Sequence, residues 1–129
     1  MFIPTKRILI ADITPEILES TKLLLEDFGY EVCTENNPEQ IINLVKNLSP
    51  ELLLLQTELQ FHDGKEICNA ISRDESAKKT PVILMSTETL AYPAIHYGAV
   101  GYIGIPFHSA EFIETIESMF DSKQKAPRN

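Results

Sequence analysis

A chain of 129 residues has the size of one ordinary domain, which excludes a second core-forming unit. At 43% hydrophobic and 23% charged residues it is too apolar for a disordered segment. Eleven Lys and Arg against nineteen Asp and Glu leave a net charge of −8, and such a surface repels phosphate backbones and anionic lipid, which argues against nucleic acid and membranes as partners.

Short apolar runs alternate with amphipathic segments along the chain. Residues 8–11 read as a first strand that stops at Asp12, and Thr14-Pro15-Glu16 then supplies an N-cap, a proline at the first helical position and an early acid. Ile17, Leu18, Thr21, Leu24, Leu25 and Phe28 follow at helical spacing, with Gly29 placed to end the helix. Residues 30–33 form a short second strand. Asn37-Pro38 repeats the cap signature before Ile41, Ile42, Val45 and Leu48, and Ser49-Pro50 is the stop. Residues 52–55, four leucines, have the unbroken apolar character of a strand buried on both faces, and Asp63-Gly64 closes the loop after it.

A shorter helix carries Ile67, Ala70 and Ile71, and Thr80-Pro81 opens a fourth strand over 82–85. The stretch 87–97 reads as weakly helical because Pro93 interrupts it. Residues 100–103 make a fifth strand. Phe112, Ile113, Ile116, Met119 and Phe120 form the last helix, capped by His108 or Ser109, and a polar, frayed tail is expected over 121–129. Five strands alternating with helices predict an α/β fold with a parallel sheet covered on both faces.

No apolar run nears the roughly 20 residues of a membrane span, and Asp12 would cut short the apolar region of a signal peptide, so a cytoplasmic location is expected. Cys33 and Cys68 have no CxxC or metal-ligand spacing and read as reduced thiols. His62, His96 and His108 share no i, i+4 spacing that suggests zinc.

In a sheet of this kind ligands sit beyond the carboxyl ends of the strands, where the strand order reverses. That directs attention to Asp12 and Ile13, Gln56 to Glu58, Ser86 and Thr87, and Gly104-Ile105-Pro106. The segments RILIAD (7–12), PVILMS (81–86) and GAVGY (98–102), followed by Ile105-Pro106-Phe107, resemble in order and spacing the receiver domain of bacterial response regulators, of the chemotaxis-receiver type, over residues 6–120. The resemblance implies a doubly wound, flavodoxin-like five-stranded parallel sheet of order 2-1-3-4-5 and a cis peptide before Pro106. It also implies a family activity in which an aspartate at the end of the third strand takes a phosphoryl group from a histidine kinase. That activity uses Mg²⁺, a pair of acids after the first strand, a Ser or Thr after the fourth and a Lys after the fifth.

Asp12 matches the first acid, Ser86 the hydroxyl residue, and Pro106 and the switch aromatic Tyr102 also match. Ile13 stands in place of the second acid, Gln56 in place of the phosphoryl-accepting aspartate and Ile105 in place of the lysine. A carboxamide is no anionic nucleophile toward phosphorus, and Mg²⁺ wants hard, charged oxygen ligands. The pocket is therefore expected to be degenerate, with no cofactor and no enzymatic activity. Against this, Glu58 is a candidate to join Asp12 in a makeshift divalent site. Gln56 has two open readings, a hydrogen bond to Ser86 that fixes one signalling state, or a polar filler of a vacated pocket.

The stretch between Ser86 and Gly98 is about three residues short of the family pattern, and it carries the surface through which receivers report their state. The expected function is a phosphorylation-independent interaction module of two-component signalling. Its partner would be a kinase, a phosphotransfer protein or an output protein, with a homodimer left open. Tyr92, His96, Tyr97 and Tyr102 are the expected contact residues, since tyrosine buries much area while ordering few torsions. The alternatives are a non-phosphorylatable sink or competitor within a phosphorelay, and a small-molecule-binding doubly wound domain that has reused the crevice.

Overall fold

The computed structural model describes residues 5–124. Five strands, β1 (Arg7–Ala11), β2 (Glu31–Glu35), β3 (Leu52–Gln56), β4 (Val82–Ser86) and β5 (Gly101–Gly104), form one sheet in the order β2-β1-β3-β4-β5. Every pairing is parallel, as the alternation of strands with helices predicts. The chain steps outward from β1 to β2 and then crosses to β3, so the order reverses between the carboxyl ends of β1 and β3.

Strand side chains alternate between faces, and the core divides accordingly. Leu9, Leu53, Leu55, Val82 and Leu84 pack against Ile41 and Val45 of α2 (Ile41–Leu48) and Cys68 and Ile71 of α3 (Gly64–Arg73). Ile8, Ile10, Leu52, Leu54 and Ile83 pack against Leu25 of α1 (Pro15–Asp27) and Phe112, Ile113 and Ile116 of α4 (Ser109–Gln124). All five residues of β3 are buried, which accounts for its unbroken run of leucines. Each fully buried leucine contributes about 1.5 to 3 kcal/mol relative to exposure. Cys68 is wholly enclosed, and burial pushes its thiol up to about 11, whereas Cys33 on β2 is half-buried. Among the described residues no helix is long and apolar enough to cross a membrane.

The punctuation largely follows the sequence. The Asn37 side chain accepts from Glu39 N at 3.0 Å, and Gly29 and Ser49 end their helices at φ +92° and +45°. Thr14 holds the cap position of α1 with an extended backbone but makes no side-chain cap bond. His108 is the cap of α4, its carbonyl accepting the first helical bond from Phe112 N at 2.9 Å.

Other features depart from expectation. β2 runs two residues further, to Glu35, and a 3-10 turn at Pro38–Gln40 leads into α2. A small hairpin, Glu58–Leu59 paired with His62–Asp63, fills the loop after β3, where isolated polar residues gave no period to read. The stretch 87–97 holds only a 3-10 turn, Ala94–Tyr97, beginning directly after Pro93. α4 continues through Gln124 into the stretch expected as tail, and 125–129 lie outside the described residues.

Candidate functional site

The carboxyl ends of β1, β3, β4 and β5 bring together the residues singled out in the sequence. Asp12, Gln56 and Ser86 are buried, and Thr57, within the Gln56 to Glu58 segment but given no role of its own by the sequence, is buried beside them. Ile13 and Ile105 are half-buried and flank the crevice from opposite sides of the sheet. Ile13 packs with the α2 and α3 core, and Ile105 with the α1 and α4 core. The Ile105-Pro106 peptide is cis.

Three of these four buried polar side chains share one geometry. Asp12 Oδ1 accepts from Thr14 N at 2.8 Å, Gln56 Oε1 from Glu58 N at 3.4 Å, and Ser86 Oγ from Glu88 N at 3.0 Å. Each turns back on its own loop two residues on, the local bond by which Asp, Asn and Ser stabilise turns. Gln56 is not bonded to Ser86; its carboxamide oxygen accepts instead from a backbone N–H in its own loop. Burial raises the Asp12 carboxyl above its ordinary value, partly offset by the N–H groups of Thr14 and Ile13.

The donor set does not fit Mg²⁺. Asp12 is a single carboxylate, Ile13 has no donor atom and the Gln56 oxygen is neutral and already engaged. Glu58, the candidate second ligand, is exposed at the base of the hairpin, where its Oε1 accepts from Thr87 Oγ1 at 3.0 Å. Among the described residues no three His, Cys, Asp or Glu side chains gather as a metal site.

Tyr102 links this crevice to the sheet edge. Its hydroxyl donates to Glu88 O at 2.8 Å and lies 3.4 Å from Ser86 O. Beyond it lie the other expected contact residues. Tyr92 and His96 stack with ring centroids 4.5 Å apart, and Tyr97 meets His96 edge-on at 5.1 Å. Tyr92 and His96 are exposed, but Tyr97 is half-buried against the α2 and α3 core, so only part of it faces outward. Ile95 and Val100, 81% and 60% exposed, border the same turn and edge strand. Ile95 stands in no periodic run and Val100 reads as the first residue of the fifth strand, so the sequence signals neither one's exposure.

Residues 8–117 match the response regulator receiver domain model. The chain is 29% identical over 117 residues to the phosphate regulon transcriptional regulatory protein PhoB of Pseudomonas aeruginosa, covering 88% of this chain and 51% of the relative. It is 30% identical over 122 residues to the nisin biosynthesis regulatory protein NisR of Lactococcus lactis, covering 92% and 52%. The chain thus spans about half the length of the curated relatives it matches. Among solved structures it is similar to a CheY-like response regulator receiver domain protein from Methanospirillum hungatei, with a TM-score of 0.85, 26% identity, and coverage of 94% and 98%. The receiver domain of a sensor histidine kinase from Pseudomonas aeruginosa, with magnesium coordinated in its active-site cleft, superposes with a TM-score of 0.80 at 19% identity, covering 89% and 97%.

Proposed function

The chain belongs to the response regulator receiver domain family, and from that premise we propose that it is a receiver that accepts no phosphoryl group and acts by binding another protein of two-component signalling. The observation that carries this reading is Gln56 at the end of β3, buried and bonded to its own loop. No anionic oxygen stands there to attack phosphorus. Ile13 and Ile105 extend the argument, since one removes a metal ligand and the other the cation that would pair with a phosphoryl oxygen.

The interaction surface is the exposed aromatic cluster along β5. Tyr92, His96 and Tyr102, joined by Ile95 and Val100, present apolar area to solvent at the edge of an otherwise well-covered sheet. Tyr102 is held by Glu88 O without help from a phosphate, so the module binds in the state it already has. The partner is a kinase, phosphotransfer or output protein in the same cytoplasm, and the domain itself catalyses nothing.

Incubation with acetyl phosphate and Mg²⁺ followed by intact mass measurement tests the reading. The expected spectrum is that of the unmodified chain. A stoichiometric acid-labile phosphoryl adduct overturns the proposal. Gln56→Asp alone recovers little labelling, while the combination with Ile13→Asp and Ile105→Lys recovers much more, because groups that act as a unit are not additive.

A further inference from the structure

Between α2 and α3 the surface opens into a groove of about 410 Å³. Ile42 from α2 and Ile67 and Ala70 from α3 line it with apolar area, and the hairpin after β3 forms one end, with Phe61 at its tip. Phe61 is 93% exposed and has a φ of +60°. Left-handed backbone is an outlier for a bulky residue and leaves it strained. Burial of the ring would offset that strain, but this ring lies in solvent. Glycine would hold the Gln60-Phe61 turn without strain. The fold therefore gives no reason for an aromatic side chain here, while the adjoining groove does.

The charge around the groove has one dominant sign. Asp63 and Glu66 line it and Glu58 lies at the hairpin base, against Lys65, which pairs with Asp63 at 3.1 Å. A second copy of this chain would bring its own −8 to that rim. A cationic segment meets it with complementary charge.

We propose that the α2–α3 groove is a second docking surface, separate from the β5 edge. It takes an amphipathic helix of another protein that sets an apolar side chain against Phe61, Ile42 and Ile67 and a Lys or Arg beside Glu66. Strain at Phe61 is then retained for recognition, in the manner of functional residues that lower stability.

The test is a titration of amide chemical shifts with two synthetic helical peptides of about 15 residues, one with leucines on one face flanked by lysines, the other with glutamates in their place. The lysine peptide is expected to shift the amides of Ile42, Phe61, Ile67 and Ala70, and the glutamate peptide to leave them unmoved. Phe61→Gly is expected to weaken binding about 10-fold while raising Tm, a pairing that a merely structural role does not produce. Glu66→Lys is expected to reverse the preference between peptides. Equal shifts with both peptides, shifts confined to the β5 edge, unchanged affinity or a lowered Tm in Phe61→Gly, or no shift at about 1 mM peptide each overturn the proposal. Self-association that Phe61→Gly abolishes overturns it too, by assigning the groove to a second copy.

Discussion

The crevice and the β5 edge adjoin through Tyr102, yet they treat their side chains in opposite ways. In the crevice Asp12, Gln56 and Ser86 are buried and each is bonded to its own loop, as Asp12 is to Thr14 and Ser86 to Glu88. At the edge apolar groups lie in solvent, with Ile95 and Val100 the most exposed of them. A polar group already bonded gains little from a ligand, whereas exposed apolar area gains about 25 cal/mol for each Å² covered. On the function proposed above, association draws on the surface beside the pocket rather than on the pocket itself.

The largest expected effect breaks the crevice side of this contrast. A Cβ at Gly64 would collide with the backbone carbonyl oxygen of Gln56 and lie 2.8 Å from Thr57 Cα, neither of which is a flexible side-chain end. Gly64→Ala is expected to destabilise the domain by about 3 kcal/mol in urea unfolding. A loss below about 0.5 kcal/mol would mean that the Gln56 loop is not fixed as described.

Next in size is the edge itself. Tyr92→Ala and Tyr102→Ala are each expected to weaken binding to the isolated signalling partner by about 2 kcal/mol on folded protein, by calorimetry with or without acetyl phosphate. Unchanged affinity in both, with loss instead on replacing Lys22 and Glu26 of α1, would move the interface to the opposite side of the sheet.

The smallest effect sharpens the crevice. Because burial raises the Asp12 carboxyl, its contribution to stability is full below its unfolded-state value and is lost as pH rises through the folded one. Asp12→Asn, which keeps an acceptor for Thr14 N, is expected to stabilise the fold at neutral pH by about 1 kcal/mol. The gain should fade as pH drops to about 4, where carboxylates protonate. An equal gain at both pH values would show that ionisation plays no part.

What the sequence made legible was whatever repeats. The leucines of β3, the i, i+3, i+4 spacing in α1 and α4 and the turn residues Asn37 and Gly29 each have one structural solution, and the family segments fixed where the crevice lies. Direction and exposure were not legible. Gln56 turns to Glu58 rather than Ser86, and Glu58 to Thr87 rather than Asp12, because a backbone N–H two residues away or a hydroxyl across the loop wins over a longer reach. Phe61 and Ile95 stand in no periodic run and Val100 opens the expected fifth strand, so only the position of their neighbours reveals how far they face solvent.

The two cysteines give the molecule a clock. A thiol reacts as its thiolate, and Cys68, sealed on α3 with its thiol pushed up to about 11, has neither the charge nor the access to meet a reagent while the domain stays closed. Alkylation in native buffer therefore marks Cys33 first, on β2 at the sheet margin farthest from β5. The slower tagging of Cys68 then counts how often the unaltered chain opens, a gauge already built into its interior.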